Sequence, residues 1–200
     1  MIKIEIFKKT TIQPDFQRRQ KERHDARSGR SGTLLYFAYG SNMNRNQMAF
    51  RCPDAKVAGT VRLEGYRLAF RENGRGIGVA TVLPEPDSFV DGVLWRISKR
   101  DERHLDHYEG FPYLYGKKSV TVTSRNDRKL AVMAYAMNSP YKDAPAMPSA
   151  AYLEGILNGC RQNAISTHFV IDAVRHTQLE IPQKAVPHKE RHRPNNDKNR

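Results

Sequence analysis

The chain has 200 residues, of which 38% are hydrophobic, and a formal net charge of +13. This length predicts one domain with tails, and the low hydrophobic fraction indicates that polar segments flank an ordinary core. No segment approaches the roughly 20 apolar residues of a membrane-spanning helix, and the N-terminus lacks the continuous apolar stretch that is typical of a secretory signal.

The positive charge is concentrated at the two ends. Residues 1–32 contain nine Lys and Arg against four Asp and Glu, and residues 161–200 contain eight against four. Basic ends either bind nucleic acid or anionic surfaces through counterion release, or are solvated tails. Aromatic residues are almost absent from them, so tails are favoured, with at most weak and non-specific binding of nucleic acid.

The chain opens with apolar alternation at Ile2, Ile4 and Ile6, which predicts an edge strand within Met1–Gln13. The segment Asp15–Ser31 has no apolar period and is predicted to be a linker, with a helix as the second choice.

The next segment reads as a strand that turns into a helix. Leu34–Ala38 is short, apolar and bounded by glycines, which predicts a buried strand. A helix is predicted over Asn42–Phe50, with Ser41 or Asn42 as its cap and Met48 and Ala49 facing inward. A helix start after Gly40 leaves backbone N–H groups that favour an anion, although a simple capped turn is the alternative.

The middle of the chain predicts four short strands: Val57–Val61, Tyr66–Arg71, Val79–Leu83 and Val90–Ile97. Gly65 is expected to break the first pair, and Pro84–Asp87 is expected to form a turn. Gly74, Gly76 and Gly78 do not complete a dinucleotide-binding motif, so a nucleotide site is disfavoured.

The second half predicts two helices and two or three strands. Ser98 and Asp101 form the start of a helix that ends at Glu109, and Pro148 opens a second helix. Strands are expected at Val120–Thr123, Leu130–Met137 and, more weakly, His168–Val174, and Pro182–Arg200 is expected to be disordered. Cys52 and Cys160 are interpreted as free thiols, with a distant disulfide left open. About seven strands and three helices suggest a closed or nearly closed mixed sheet.

Three stretches carry a resemblance to a known family: Tyr36–Met43, Leu63–Phe70 and Leu105–Tyr115. They resemble the gamma-glutamylcyclotransferase-like family, which includes gamma-glutamylamine cyclotransferases and the plant AIG2-like proteins. The resemblance covers about residues 34–165 and implies an α+β fold, the small mixed α/β barrel of that family. It divides the chain into a basic extension at 1–32, a domain at 33–165 and a basic extension at 166–200.

The resemblance implies that Glu109 is the catalytic residue. From the residues alone, Glu109 is a lone carboxylate among Tyr108, Phe111 and Pro112, whose apolar surroundings would raise its pKa and suit it as a general base. The alternative is a carboxylate that only hydrogen-bonds a turn.

The resemblance also implies a set of substrate-binding residues. The loop would bind substrate through its backbone. Tyr113, Tyr115 and Tyr135 are candidates to line the pocket, and core packing is at least an equal alternative for each. The set assigned to substrate binding is Tyr39, Gly40, Ser41, Asn42, Met43, Tyr115 and Tyr135. Arg45 is a further candidate to meet a carboxylate, and a solvated position is the alternative. A metal site at His104 and His107 is disfavoured because the sequence places no third ligand.

The implied reaction releases 5-oxoproline and a free amine from a small gamma-glutamyl compound, without cofactor or metal. The implied setting is cytoplasmic, with a monomer or homodimer and no membrane partner. The competing hypothesis is a non-catalytic binding protein that keeps the pocket and uses its basic ends to contact nucleic acid or a partner. The presence of Glu109 favours the enzyme.

Overall fold

The computed structural model describes residues 32–182, in which five strands close into a barrel. The strands are β1 (Leu34–Ala38), β2 (Lys56–Glu72), β3 (Gly78–Ile97), β4 (Tyr115–Ser124) and β5 (Lys129–Met137). Around the barrel they follow the order β1-β3-β2-β4-β5. The α-helices of the described residues are α1 (Arg45–Arg51), α2 (Lys99–Glu109), α3 (Ala150–Gln162) and α4 (His168–Glu180). Two short 3-10 helices, Ser41–Met43 and Tyr141–Asp143, complete the described structure.

The closed mixed barrel confirms the predicted fold class. All neighbouring strands are antiparallel except β1 and β5, which are parallel with Tyr36 opposite Met133. The strand predicted within Met1–Gln13 and the linker Asp15–Ser31 lie outside the described residues, as does all but the first residue of Pro182–Arg200.

Two long strands replace the four short strands expected in the middle of the chain. Gly65, with φ of +76°, lies where the β2–β3 register shifts between Glu64 and Tyr66. The glycine therefore forms a bulge and does not end the strand, because a bulge accommodates a residue out of register without ending the pairing. The segment Pro84–Asp87, predicted to be a turn between strands, lies inside β3, where Pro84 pairs with Tyr66. The next paired residue is Phe89, opposite Glu64, so residues 85–88 fall outside the β2–β3 register without ending the strand.

The strand predicted at His168–Val174 is also wrong, because this segment belongs to helix α4. Val170, Ala173 and Thr177 are buried at helical spacing, and the Thr177 hydroxyl accepts a hydrogen bond from the backbone N–H of Phe70 in β2. At the end of the helix, Glu180 forms an ion pair with Arg71 at 2.6 Å. A short apolar segment in a sequence is compatible both with a strand and with one face of a helix. Here packing against β2 favours the helix.

The helix expected at Asn42 begins three residues later. Asn44 caps α1 by accepting hydrogen bonds from the N–H groups of Asn46 and Gln47. Met48 is buried as predicted, whereas Ala49 is exposed. Because Asn44 takes the capping role, the side chains of Ser41 and Asn42 are available for contacts at the end of the barrel.

Helix α2 begins and ends as predicted. Ser98 and Asp101 form a complete capping box, and Gly110 ends the helix in the left-handed conformation with φ of +64°. Leu105 anchors the helix in the core. Glu109 is therefore the last helical residue.

Two further observations concern the whole described region. Cys52 and Cys160 are both buried free thiols. None of the helices between residues 32 and 182 is both long and apolar enough to cross a membrane.

Candidate active site

A cavity of about 280 Å³ lies where β1 gives way to the 3-10 helix Ser41–Met43. Gly40, Ser41 and Asn42 form part of its wall, and Glu109 forms another part. Much of the remaining lining is aromatic and comes from six tyrosines: Tyr36, Tyr39, Tyr108, Tyr115, Tyr135 and Tyr152. The cavity thus combines one carboxylate, one backbone loop and several phenol rings.

Glu109 is the only Asp or Glu among the described residues that line this cavity. Its Oε1 accepts a hydrogen bond from Asn42 Nδ2 at 2.7 Å. Burial raises the pKa of Glu109 from 4.5 to about 7, although the charge of Arg51 and the hydrogen bond from Asn42 act in the opposite direction. The carboxyl group therefore gains and loses a proton near neutral pH.

Asn42 is held by four hydrogen bonds. Its Nδ2 donates to Glu109 and also to Tyr36 Oη at 2.9 Å. Its Oδ1 accepts from Arg51 Nη1 at 2.5 Å, and its backbone carbonyl accepts from Trp95 Nε1 at 3.1 Å. This buried side chain is therefore fixed in position and in orientation.

The loop that precedes Asn42 presents backbone donors. The N–H of Met43 bonds to the carbonyl of Gly40, but among residues 32–182 no acceptor pairs with the N–H of Ser41 or Asn42. A Cβ at Gly40 would lie 3.2 Å from Ala80 Cβ and 3.6 Å from Tyr152 Oη. Gly40 has φ of −114°, so a side chain there would be disfavoured by crowding against Ala80 and not by a left-handed conformation.

Of the three tyrosines considered for the pocket wall, Tyr115 and Tyr135 line the cavity with their hydroxyls bound to protein, whereas Tyr113 is 82% exposed and does not line it. Tyr115 Oη donates to the carbonyl of Ala80 at 2.6 Å, and Tyr135 Oη donates to Asp106 Oδ1 at 2.6 Å. Burial raises the pKa of both Tyr115 and Tyr135, so both phenols are neutral.

Tyr39, which was predicted as part of the loop, also lines the cavity, and its Oη donates to the carbonyl of Tyr135 at 2.5 Å. Burial raises its pKa as well. Tyr39, Tyr115 and Tyr135 thus give the cavity a rigid aromatic wall.

Met43 does not line the cavity. Its side chain is fully buried in the core, because the 3-10 helix turns it inward beneath the loop. Arg45 also lies elsewhere: its Nε donates to Asn163 Oδ1 at 3.0 Å. His104 Nδ1 lies 3.2 Å from the carbonyl of Arg51, and the part of the chain that the structure describes contains no group of three or more His, Cys, Asp or Glu arranged to hold a metal.

Sequence reasoning missed Arg51, which ends α1 and contacts both Ser41 and Asn42. Side chains on a helix lean toward its N-terminus, so a long residue in the last turn can reach back to the loop before the helix. That rule favours Arg51 over Arg45 once the helix start is known, but the start itself was misplaced. Tyr36 and Tyr152 also line the cavity, and neither was assigned to the site.

The arrangement supports proton transfer next to an anion. A carboxyl group that titrates near neutral pH suits a general base that later acts as an acid. The unpaired N–H groups of the adjacent loop suit a carboxylate or a polarised carbonyl oxygen.

Comparison with known proteins gives consistent results. Residues 36–154 match the family described as "Gamma-glutamyl cyclotransferase, AIG2-like". A mouse protein named gamma-glutamylcyclotransferase is 31% identical over 154 residues, which cover 72% of this chain and 80% of that protein. A human protein of the same name is 30% identical over 145 residues, covering 68% and 75% of the two chains.

Solved structures share the fold. One, titled "Gamma-glutamyl cyclotransferase", has a TM-score of 0.62 at 26% identity and covers 78% of this chain and 92% of its own. YkqA from Bacillus subtilis has a TM-score of 0.61 at 23% identity over 82% of this chain and 60% of its own.

Proposed function

This chain belongs to the gamma-glutamyl cyclotransferase, AIG2-like family, and on that premise we propose that it releases 5-oxoproline and a free amine from a small gamma-glutamyl compound. The observation that carries the proposal is the contact between Asn42 and Glu109, a carboxyl group with a pKa of about 7 in a small cavity. The mouse, bovine and human relatives named gamma-glutamylcyclotransferase support the same reaction class.

The reaction is intramolecular. The α-amine of the glutamyl group attacks its own γ-carbonyl carbon, forming a C–N bond that closes a five-membered ring. The original γ-amide C–N bond then breaks, and its nitrogen leaves as an amine. Because both reacting groups belong to one molecule, holding them in a bent conformation supplies much of the acceleration, and the protein needs no nucleophile of its own.

Glu109 is assigned both proton transfers. As a carboxylate it removes a proton from the substrate's ammonium group, and as a carboxylic acid it passes that proton to the leaving nitrogen. The second proton, which the attacking nitrogen loses when the lactam forms, follows the same route, so the leaving group departs as an ammonium ion. The two transfers need a group whose pKa lies near the working pH, and burial gives Glu109 such a pKa. The net proton change on the enzyme is zero.

Substrate binding is assigned mainly to the loop. The N–H groups of Ser41 and Asn42 would donate to the anionic glutamyl end, while Gly40 leaves room for the substrate backbone beside Ala80 and Tyr152. Tyr39, Tyr115 and Tyr135 would hold the glutamyl methylene groups against aromatic surface. In this assignment Met43 supports the loop from the core and does not touch substrate.

The test is an assay for 5-oxoproline with a panel of gamma-glutamyl amines and gamma-glutamyl dipeptides. Glu109→Gln keeps the size of the side chain but cannot accept the ammonium proton, so its kcat should fall by roughly a hundredfold or more on any substrate that the parent accepts. Glu64→Gln is the matched control, since Glu64 is an exposed carboxylate on β2.

The proposal fails if no compound in the panel yields 5-oxoproline. The assignment of Glu109 fails if the folded Gln variant keeps a kcat within a few-fold of the parent. A cavity that binds gamma-glutamyl compounds without turning them over would instead support the binding-protein hypothesis.

A further inference from the structure

Arg51 reaches the edge of the cavity from the last turn of α1. Its Nη1 donates to Asn42 Oδ1 at 2.5 Å and to Ser41 Oγ at 3.2 Å. Its guanidinium lies 3.8 Å from the centre of the Tyr108 ring, next to Glu109 in the chain. Arg51 therefore connects the loop to the end of α2, where the proposed catalytic group lies.

We propose that Arg51 is a positioning residue: it selects the orientation of the Asn42 amide that directs a donor at Glu109. The inference rests on the proposed function for its kinetic consequences. The structural part of the proposal concerns only the side chains of Arg51, Asn42 and Glu109, and it can be tested in the absence of substrate.

The orientation follows from the hydrogen-bonding capacities of the three groups. A guanidinium has donors only, and an ionised carboxylate has acceptors only. An amide between them satisfies both in one orientation, with its oxygen toward Arg51 and its NH2 toward Glu109. Without Arg51 the amide loses its donor-only partner. An ionised Glu109 still selects the NH2 group, but a protonated Glu109 can donate as well as accept and no longer fixes the orientation.

Arg51 suits this role better than a lysine would. One nitrogen serves two acceptors, Ser41 and Asn42, while the flat guanidinium stacks on Tyr108. A lysine ammonium carries the same charge but lacks the planar face and the fixed donor geometry. The charge and the geometry of Arg51 can therefore be tested separately.

Arg51 also affects the pKa of Glu109, together with the other groups around that carboxyl group. Phenol groups face the site from β1, the residue after it, β4, β5 and α3, namely Tyr36, Tyr39, Tyr115, Tyr135 and Tyr152. On the same helix, Asp106 is paired with Lys117 at 2.8 Å, and Tyr108 lies against Arg51. The charge of Arg51 lowers the pKa of Glu109 against the larger effect of burial, as does the Asn42 hydrogen bond. Loss of Arg51 weakens both opposing effects, so the pKa of Glu109 should rise.

The experiment compares Arg51→Gln, Arg51→Lys and the parent as full-length chains. For Arg51→Gln we expect the acid limb of the kcat/KM profile to move to higher pH, and kcat to fall between roughly tenfold and a hundredfold as the base loses its fixed position. For Arg51→Lys we expect the acid limb to stay near that of the parent while kcat still falls. Arg103→Gln, which removes an exposed cation from α2, is the matched control and should change neither quantity.

A double-mutant cycle with Asn42→Ala tests the route of the effect. If Arg51 acts through Asn42, the two changes are strongly non-additive, and Arg51→Gln costs little in a chain that already lacks the amide. Additive losses would show that Arg51 acts independently of Asn42 and would overturn the proposal.

The Lys variant keeps the test decisive if Arg51→Gln does not fold, since a kcat equal to that of the parent in Arg51→Lys would also overturn the proposal. An unchanged acid limb in a folded Arg51→Gln would do the same.

A readout without substrate separates this proposal from the proposed function. The pKa of Glu109, measured by NMR with a labelled glutamate side chain, should be higher in Arg51→Gln than in the parent and unchanged in Arg103→Gln. If 5-oxoproline is never released but this pKa rises, the reaction is wrong and the role of Arg51 stands. If 5-oxoproline is released and the pKa does not move, the role of Arg51 is wrong and the reaction stands.

Discussion

Replacing Glu109 with Gln is expected to make the protein more stable at alkaline pH than the parent. The carboxyl group has a pKa of about 7 in the fold, against 4.5 ordinarily, because burial disfavours its charged form. Glutamine keeps an oxygen that accepts the hydrogen bond from Asn42, but it carries no charge at any pH. The substitution therefore removes the cost of a buried charge and leaves the packing nearly unchanged.

The magnitude follows from the two pKa values. Each unit of pKa corresponds to about 1.4 kcal/mol, so moving the pKa from 4.5 to about 7 corresponds to about 3 kcal/mol. Between these values the folded protein binds more protons than the unfolded chain, so the free energy of unfolding falls as the pH rises. Below about pH 4.5 both states are protonated and the penalty vanishes; above about pH 7 it is complete.

The assay is urea unfolding of the parent and Glu109→Gln from about pH 4.5 to about pH 8.5. Relative to the parent, the variant should gain about 3 kcal/mol over this range, which corresponds to a shift of about 1 M or more in the urea midpoint. Subtracting the two curves cancels every other titrating group. Glu64→Gln should run parallel to the parent, since its carboxylate is exposed.

A constant difference between Glu109→Gln and the parent across this pH range would refute the reasoning. It would mean that Glu109 titrates as an ordinary carboxyl group and is not tuned for proton transfer.

Two further predictions concern the loop and the ends of the chain. Gly40→Val should raise KM and destabilise the protein by about 1–3 kcal/mol, because the valine methyl groups would crowd Ala80 and Tyr152. Gly40→Ala should show a smaller effect on both quantities. An unchanged KM in a folded Gly40→Val variant would count against substrate binding at the loop. Deleting residues 1–31 and 183–200 should leave kcat/KM nearly unchanged, because the described residues of the cavity wall all lie outside these segments. The full chain should retain nucleic acid only weakly and lose it as salt rises; tight binding at physiological salt that disappears on deletion would favour the binding-protein hypothesis.

The sequence located the Gly40–Asn42 loop and the end of α2 more accurately than it located the strands in the middle of the chain. Short-range signals locate Leu34–Ala38, Gly40 and the end of α2 at Glu109, because glycines and caps act within a few residues. The barrel then brings Asn42 and Glu109, 67 positions apart, into contact. The resemblance to a known family anticipated that meeting, whereas spacing alone did not.

The errors arise where tertiary contacts override local signals. Gly65 and Pro84 usually end strands, but here β2 and β3 continue past both. The irregularity leaves Gly65 and residues 85–88 unmatched, and the pairing resumes on either side. Helix α4 was predicted to be a strand because its apolar segment is short. The helix is favoured by its packing against β2, which buries one of its faces. Arg51 was missed because its contacts depend on where α1 begins, and helix starts are located from the sequence only to within a few residues.

The position of Glu109 explains why the loop around Asn42 is so heavily bonded. As the last residue of α2, Glu109 lies at the negative end of the helix dipole, which disfavours a carboxylate, and burial disfavours it further. Without opposing influences the pKa of Glu109 would be higher, and the group would be a poorer base at neutral pH. Asn42 and Arg51 supply the opposing influence, one by a hydrogen bond and the other by its charge. The pKa of about 7 is thus the balance of a costly position and two side chains that offset part of that cost. Removing either side chain should therefore impair the base before it impairs the fold.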